Sequence, residues 1–399
     1  MSIYLDDKNF NPDAYDVIAI GAGYSGSCFA RAFLDEHPDA RIAILERRPH
    51  IGGNAFDEYD AHGVLIHTYG PHIFHTHMKE VYDFLSRFTE WIDYEHRVLA
   101  NIHGKLVPVP FNRTGLEAAF GKDEADELYQ LLVEEFGDET KVAIAKLMQS
   151  PNEKLQKVAN YIYEHIFLYY TMKMWGKKPE EIDGAVTARV PIYISRDDRY
   201  FQDAYQGLPR EGYTKMFERI LDHEQIDVFL QTDVLEHASI KDERLCFHDK
   251  PFKGIVVYSA PLDELFDRKL GALPYRSIEM HFEYMKQDQF QSAATVNYTT
   301  TEDFTRITEF KLMTGQEVLG TTILKEYPRA YNPLGSIDPY YPIQNEDNQK
   351  LYEAYRNQAE KLQDFYVLGR LGEYRYYDMD DTVKAALDLA SRVGRTYTK

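Results

Sequence analysis

The chain has few cysteines, no long apolar segment and no excess of positive charge. Its 399 residues include only two cysteines, Cys28 and Cys246, whose separation fits neither a redox pair nor a metal-ligand pair. No apolar run reaches the roughly 18 residues that a membrane-spanning helix needs. The formal net charge of −20 disfavours nucleic acid and anionic membranes as partners. These absences predict a cytoplasmic protein in a reducing compartment, with no nucleic acid or membrane as partner.

Several catalytic motifs are also missing. The sequence contains no G-x-S-x-G turn that would present a serine nucleophile, and Ser25 belongs to a glycine turn instead. It contains no Walker A motif and no second G-x-G-x-x-G for a nicotinamide cofactor. With no cysteine pair either, a disulfide reductase is disfavoured.

The segment from Asp16 to Arg48 predicts a dinucleotide-binding turn. It contains an apolar strand, a G-x-G-x-x-G motif, a helical pattern and a second apolar strand that ends at Glu46. Gly21 permits a tight turn, Gly23 lets the main chain approach a pyrophosphate, and Gly26 lets helix and strand pack closely. The free N–H groups of the helix then face the phosphates. Glu46, twenty positions after Gly26, can accept hydrogen bonds from the adenosine ribose.

A second glycine pair favours FAD over NAD. Gly52 and Gly53 follow Glu46 in an E-x(5)-G-G arrangement, which resembles the FAD domain of amine-oxidase and glutathione-reductase flavoproteins. The alternative is an ordinary glycine pair in a loop. The segment 369–379 near the end of the chain predicts a strand-to-helix turn that closes the FAD domain. The dipole of the following helix can stabilise negative charge on a reduced flavin.

A histidine-rich stretch between residues 62 and 77 raises the possibility of a metal site. Its members are His62, His67, His72, His75 and His77. Because Gly70 and Pro71 interrupt the run and no helix presents two histidines on one face, we expect no metal. The loop 68–76 is instead expected to lie against the flavin.

The remaining segments predict two further structural regions. Residues 114–170 are mostly helical in pattern and end in an aromatic stripe that runs into a Gly/Pro loop after Trp175. Such a stripe either packs in the hydrophobic core or lines a binding site, and the pattern does not decide between these two roles. Residues 275–325 alternate apolar and polar positions, which is typical of antiparallel strands.

Ten blocks between about Asp16 and about Leu389 together resemble the bacterial UDP-galactopyranose mutase family. They are RRPHIGGNAF, TYGPHIFHT, VPVPFN, YYTMKMWG, RVPI with DDRYF, YQGLP with GYTK, GALPYRS, TRITEFK, KEYPRAY and GRLGEYRYYDM. The resemblance implies an FAD enzyme that interconverts UDP-galactopyranose and UDP-galactofuranose without net redox. In this chemistry N5 of the reduced flavin attacks the sugar C1, UDP leaves, and UDP returns after the ring closes on the other hydroxyl. The absence of any catalytic triad agrees with a nucleophile supplied by the cofactor.

The resemblance also implies the fold class and the domains. The expected α/β fold has an FAD-binding Rossmann-like domain with an inserted helical bundle and an antiparallel β-sheet domain. We assign residues 1–95, 210–265 and 345–399 to the FAD domain and 113–182 to the helical domain. The sheet domain takes 96–112, 183–209 and 266–344. The family is usually a homodimer, and the small-molecule partners are UDP-galactopyranose, UDP-galactofuranose and UDP.

By position, the resemblance assigns two catalytic arginines that hold the diphosphate: Arg189 on a mobile loop and Arg306 on the sheet. The residues expected at the substrate are His96, Phe167, Tyr170, Thr171, Trp175, Tyr200, Arg276, Asn297, Tyr327 and Tyr376. The residues expected at FAD are Gly21, Gly23, Ser25, Gly26, Glu46, Arg47, Gly53, Asn54, His72, Ile73, Arg370, Tyr377, Asp378 and Met379. His96 departs from the family pattern, since many members carry an asparagine there.

Two other classes share the FAD framework. An amine-oxidase-like flavin oxidase would use the aromatic residues as a cage, but Arg189, Arg306 and the phosphate-binding tyrosines would have no role in it. A non-catalytic FAD-fold carrier protein is the third alternative.

Overall fold

A six-stranded parallel sheet forms the centre of the fold. The computed structural model describes residues 4–5, 10–137, 139–176, 191–335 and 337–397. In spatial order the parallel strands are Tyr4–Leu5, Ile226–Phe229, Ile42–Leu45, Val17–Ile20, Ile255–Tyr258 and Phe365–Val367. Three inner strands of this sheet, Val17–Ile20, Ile42–Leu45 and Ile255–Tyr258, are buried at every residue. Continuous burial of this kind is typical of a parallel sheet that is covered on both faces. The α/β fold class is thereby confirmed.

Apolar clusters cover the two faces of this sheet. Val17 and Ala19 belong to one cluster, and Ile18 and Ile20 belong to the other, because successive side chains of a strand point to opposite faces. The first cluster also contains Phe29 and Phe33 of the helix Tyr24–Glu36 and Leu389 of the helix Met379–Gly394. The helix predicted after the glycine turn is therefore confirmed, with ends a few residues beyond those expected.

A seven-stranded sheet lies elsewhere in the chain. In spatial order its strands are Tyr341–Pro342, Tyr275–Met285, Thr321–Ala330, Arg306–Glu309, Thr295–Tyr298, Val98–Ile102 and Lys105–Val109. All neighbours are antiparallel except Thr295–Tyr298 and Val98–Ile102, which pair in parallel. The predicted antiparallel strands are confirmed, but two boundaries were wrong: the sequence pattern predicts that Tyr327 and Pro328 end the sheet and that residues 340–342 form a loop. The strand continues past Tyr327 and Pro328, and Tyr341–Pro342, expected as a loop, forms an edge strand against Tyr275 and Arg276.

Helices follow one another between residues 113 and 175. They are Arg113–Phe120, Lys122–Phe136, Ile144–Leu147, Glu153–Ile162, a π-helical segment Tyr163–Leu168, and Tyr169–Trp175. Leu116, Leu132, Leu155 and Ile162 of these helices share a buried cluster with Val107 of the seven-stranded sheet. Of the aromatic segment 163–175, Ile166 belongs to this cluster and Phe167 packs against it.

The other elements connect these layers. The short strands are Asp57–Tyr59, Leu65–His67, Phe74–Thr76, Trp91–Asp93, Lys141–Ala143, Pro191–Tyr193, Tyr205–Pro209, Ala238–Lys241, Arg244–Phe247 and Lys250–Pro251. The helices are Pro12–Ala14 and Gly53–Ala55 (3-10), Lys79–Ser86, Tyr213–Leu221, Val234–His237, Leu262–Leu265, Lys311–Thr314, Glu346–Ala359 and Gly369–Gly372. The apolar pattern of residues 227–235 predicts one strand, but the strand ends at Phe229. The Asp233 side chain then accepts from the N–H of Leu235 and caps the helix Val234–His237. Among the described helices, none is long and apolar enough to cross a membrane.

Candidate active site

The glycine turn lies at the carboxyl ends of the parallel strands. Gly21 follows the strand Val17–Ile20 with a φ of +99°, in the left-handed region that favours glycine. A Cβ on Gly26 would lie 2.0 Å from the carbonyl oxygen of Gly21, so only glycine allows the helix to begin this close to the turn. A Cβ on Gly53 would lie 3.0 Å from the Cα of Gly23. The second glycine pair therefore packs directly on the first turn, which supports the interpretation of both as one structural unit.

A cavity opens beside this turn, and we call it the glycine-turn cavity. Its lining includes Gly21, Gly23, Ser25, Glu46, Arg47, Arg48, Gly53, Thr232, Asp233, Tyr258 and Glu264. The helix Tyr24–Glu36 begins here without a side-chain cap, which leaves N–H groups at its N-terminus available to an anion. This agrees with the predicted phosphate-binding turn.

Glu46 is held in place by main-chain donors. One carboxylate oxygen accepts from the N–H of Ala22 at 2.9 Å, and the other accepts from the N–H of Arg48 at 2.8 Å. Each oxygen keeps a second lone pair, so Glu46 can still accept from ribose hydroxyls in the cavity. Next to it, Arg47 pairs with Glu264 at 3.1 Å.

A second cavity adjoins the first, and we call it the tyrosine cavity. Its lining includes Tyr69, Tyr170, Tyr200, Tyr340, Tyr341, Tyr376, Ile73, His75, His96, Asn297 and Arg306. Asn54, His72, Arg370, Asp378 and Met379 line both cavities. A group that lies along this shared wall can therefore contact molecules in both cavities.

The shared wall carries the N-terminus of the last helix. Asp378 occupies the N-cap position of Met379–Gly394, but its side chain makes no capping hydrogen bond. Burial raises the pKa of Asp378, while His75 and Arg370 lower it. Arg370 donates to the carbonyl of Tyr377 at 2.5 Å and lies over the rings of Tyr341 and Tyr376. The helix end and this guanidinium both direct positive potential at the wall.

Arg306 is fixed by a buried carboxylate. Its Nε donates to Glu326 at 2.6 Å, on the neighbouring strand, and Glu326 is only 1% exposed. Burial disfavours the charged form of Arg306, but the attraction of the Glu326 carboxylate is stronger than this effect. The pKa of Arg306 is therefore above its ordinary value. Because the Nε is the atom engaged with Glu326, the terminal nitrogens keep donors for an anion in the cavity.

Two histidines of the tyrosine cavity, His72 and His96, have pKa values well below the ordinary value of a histidine. Burial, together with smaller contributions from Arg306 and His75, lowers the pKa of His96 to about 3. Burial likewise lowers the pKa of His72 to about 3, and its Nδ1 lies 2.8 Å from the carbonyl of Gly70. These rings supply hydrogen bonds and not positive charge. In the described chain, no group of three or more His, Cys, Asp or Glu side chains could hold a metal ion.

Several predicted site residues lie outside both linings. Gly26 supports the turn from behind, and Tyr377, only 5% exposed, packs against the Arg375 guanidinium. Phe167 packs against the cluster of the central helices, and Thr171 and Trp175 lie on the helix that carries Tyr170. Arg189 lies outside the described residues.

Two of the assigned residues have other contacts. Arg276 donates to the carbonyls of Met174 at 2.6 Å and Lys173 at 3.3 Å, at the C-terminus of the helix Tyr169–Trp175. Tyr327 follows Glu326 on its strand and so points to the opposite face of the sheet, where its ring lies 4.5 Å from that of His281. The contacts of Tyr327 do not support its predicted place at the substrate, which stays a prediction.

The structure adds cavity residues that the sequence analysis missed. Tyr340 and Tyr341 lie in the tyrosine cavity, where Tyr341 stacks on Tyr376 with ring centres 5.9 Å apart. The buried partner Glu326 was also missed. The only sequence signal was the aromatic pair itself, since a two-residue edge strand is too short to produce a periodic pattern.

Comparison with known proteins bears on the same two regions. A family model described as UDP-galactopyranose mutase matches residues 165–376, and one described as NAD(P)-binding Rossmann-like domain matches residues 20–88. The chain is 35% identical to a probable UDP-galactopyranose mutase of Klebsiella pneumoniae, over 94% of each chain. It is 32% identical to a dTDP-fucopyranose mutase of Escherichia coli, over 94% of this chain and 97% of that one. A solved structure of a reduced UDP-galactopyranose mutase superposes with a TM-score of 0.69 at 16% identity, over 96% and 95% of the two chains.

The parallel sheet, the glycine turn and the matched family model together define a protein with a Rossmann-like domain of the NAD(P)-binding type. The family model covers more than half of the chain, and the Klebsiella relative is similar over almost its whole length. The chain belongs to the UDP-galactopyranose mutase family.

Proposed function

We propose that this enzyme interconverts UDP-galactopyranose and UDP-galactofuranose with FAD in its reduced form and without net redox. The observation that carries the proposal is the shared wall of Asn54, His72, Arg370, Asp378 and Met379 between the two cavities. A dinucleotide in the glycine-turn cavity can present its reactive ring along this wall to a sugar in the tyrosine cavity. The family relatives named as UDP-galactopyranose mutases support the choice of substrate.

The residues of the glycine-turn cavity fit FAD. The close approach of Gly23 and Gly53 leaves main chain, and no side chain, where a pyrophosphate would lie. The uncapped helix N-terminus at Tyr24 would hold the phosphates, and Glu46 would hold the ribose. When bound, reduced FAD would supply the N5 nucleophile for the sugar C1. The N-terminus of the helix Met379–Gly394 would stabilise its negative charge.

The residues of the tyrosine cavity would bind the sugar nucleotide and stabilise its leaving group. Arg306, held by Glu326, would bind the diphosphate, whose charge grows as the bond between C1 and oxygen breaks. Burial raises the pKa of Tyr200 and of Tyr376, so both hydroxyls stay protonated and can donate to phosphate oxygens. Arg189 would add a second guanidinium. A flavin oxidase is disfavoured, because an amine substrate has no use for Arg306.

Further features of the same proposal concern the whole protein. We infer that it is a cytoplasmic homodimer and that the three domains have the boundaries derived from the sequence. Gel filtration with light scattering tests the dimer. Limited proteolysis tests the boundaries, since cleavage is expected near residue 210, where Arg210 and Glu211 are exposed.

The proposal is tested with purified protein under anaerobic conditions. We expect bound FAD in the absorption spectrum and, after reduction with dithionite, chromatographic conversion of UDP-galactofuranose to UDP-galactopyranose. The oxidised enzyme is the control, and equal turnover in both states would refute the role of the reduced flavin. dTDP-fucopyranose is assayed in parallel because of the similar Escherichia coli enzyme. If the protein converts only dTDP-fucopyranose, the proposed substrate is wrong. Bleaching of the oxidised flavin by amines would favour an oxidase instead.

A further inference from the structure

Lys173 occupies an unusual position outside the described cavity linings. Its Nζ donates to three main-chain carbonyls, those of Tyr298 at 2.5 Å, Glu302 at 3.0 Å and Phe304 at 3.1 Å. An ammonium group has three N–H donors, so these carbonyls use all of them. Tyr298 is the last residue of the strand Thr295–Tyr298, and Glu302 and Phe304 belong to the stretch that links it to the strand Arg306–Glu309. Lys173 itself lies on the helix Tyr169–Trp175.

Two other contacts join the same helical segment to the sheet. The hydroxyl of Thr299 donates to the carbonyl of His165 at 2.5 Å, in the π-helical segment. Arg276 donates to the last carbonyls of the helix, where a cation is also favoured by the helix dipole. We call Lys173, Thr299 and Arg276, with their carbonyl partners, the helix brace.

The helix brace connects elements that supply the tyrosine cavity. Tyr170 lies one turn before Lys173 on the helix. Asn297 and Arg306 lie on the two strands that residues 299–305, here called the captured stretch, connect. Tyr170, Asn297 and Arg306 all line the cavity. The spacing between Tyr170 and the two strand residues therefore depends on contacts that lie beside the cavity.

We propose that Lys173 is a positioning residue for sugar-nucleotide binding, which sets the distance between Tyr170 and the strand residues Asn297 and Arg306. The inference rests on the proposed function for its choice of substrate. Without the ammonium group, the helix and the captured stretch separate in a fraction of the molecules. The apparent affinity for the sugar nucleotide then falls in proportion to the fraction of molecules in which the two remain in contact. Once the substrate is bound, the reaction proceeds at its usual rate.

Burial explains why this position needs a full set of acceptors. Desolvation, which the neighbouring Glu302 and Asp303 partly oppose, lowers the pKa of Lys173 to about 8. The three carbonyl dipoles compensate the loss of water around the charge, because each accepts a charge-assisted hydrogen bond. An apolar side chain of similar length leaves all three carbonyls without this donor.

The test compares Lys173→Met with Lys311→Met. Lys311 is a matched control, because its ammonium also donates to two carbonyls, those of Val318 and Gly320, and to Asp288. Its side chain is 13% exposed, and it lines neither cavity. For Lys173→Met we expect KM for the sugar nucleotide to rise about tenfold, with kcat changed less than about threefold. Lys173→Arg, which restores a cationic donor, should recover at least half of the loss on a logarithmic scale, and Lys311→Met should leave KM unchanged.

Hydrogen exchange provides a readout that needs no substrate. In Lys173→Met, amide exchange should accelerate in residues 163–175 and 299–305 and stay unchanged in residues 17–45. Faster exchange across the whole chain, or a KM within twofold of the wild-type value, would refute the positioning role. If Lys173→Met does not fold, Thr299→Val removes another contact of the helix brace and must show the same localised exchange. An inactive wild-type enzyme would refute the proposed function, whereas the exchange result would still decide the role of Lys173.

Discussion

Replacement of Arg306 by alanine tests the central electrostatic element of the site. Arg306 lies on the sheet, faces the tyrosine cavity and donates from Nε to the buried Glu326. If Arg306 stabilises the charge that develops on the leaving diphosphate, its loss affects the transition state more than the ground state. The variant should therefore lower kcat more than it raises KM.

The expected magnitude follows from the loss of one preorganised donor. Removal of such a donor costs about 2.7–4 kcal/mol of barrier, or roughly a hundredfold to a thousandfold in kcat. The single variant also leaves Glu326 as an unpaired carboxylate that is 1% exposed. Such a charge costs about 3–5 kcal/mol of stability, which could unfold the protein and hide the catalytic effect. The double variant Arg306→Ala/Glu326→Gln removes the orphaned charge.

The assay is single-turnover and steady-state conversion by the dithionite-reduced enzyme, with the flavin spectrum as a measure of bound cofactor. We expect the double variant to retain its flavin and to lose at least about a hundredfold in kcat. Glu326→Gln alone is the control, since it keeps the guanidinium in the cavity. Near-normal kcat in the double variant, or loss of the flavin, would show that Arg306 supports the fold and not the reaction.

Three other predictions concern separate parts of the molecule. Gly26→Ala should abolish flavin binding, because its Cβ would lie 2.0 Å from the Gly21 carbonyl oxygen, and an intact flavin spectrum would contradict the turn. His96→Asn should reduce the pH dependence of unfolding between pH 6.5 and 4 by about 1.4 kcal/mol per pH unit. Burial lowers the pKa of His96 to about 3, so the unfolded state binds an extra proton below its ordinary pKa and stability is lost as pH falls. Equal pH slopes in urea titrations of variant and wild type would refute this. Arg189→Ala should lower kcat about a hundredfold with FAD retained, whereas Lys177→Ala should not, and near-normal kcat would remove Arg189 from the site.

The glycine turn could be predicted from the sequence because its constraints are local. Gly21, Gly23 and Glu46 lie within one strand–helix–strand unit, and their spacing alone places them at the same cavity. The close approach of Gly23 and Gly53 is also a consequence of a short connection. Local features of this kind can be predicted without knowledge of the rest of the fold.

The tyrosine cavity could be predicted only in part, because it is built from distant segments. Resemblance by sequence block identified Arg306 and Tyr376 but gave no information on which face of a strand a residue occupies. Tyr327 was therefore assigned to the site, although its neighbour Glu326 points toward Arg306. Lys173 and Tyr298 are 125 residues apart, and no local pattern connects them.

The charge balance of the tyrosine cavity limits what the described residues can do alone. Among the lysine, arginine and acidic side chains of its described lining, Arg306 and Arg370 are positive and Asp378 is negative. Glu326 offsets Arg306, and the low pKa values of His72 and His96 keep both rings neutral. The described lining is thus close to neutral in a chain of net charge −20, whereas a diphosphate brings about two negative charges. We therefore expect a further cation to accompany substrate binding. The segment between residues 177 and 190 contains Lys177, Lys178 and Arg189, and of these the family resemblance assigns Arg189 to the diphosphate.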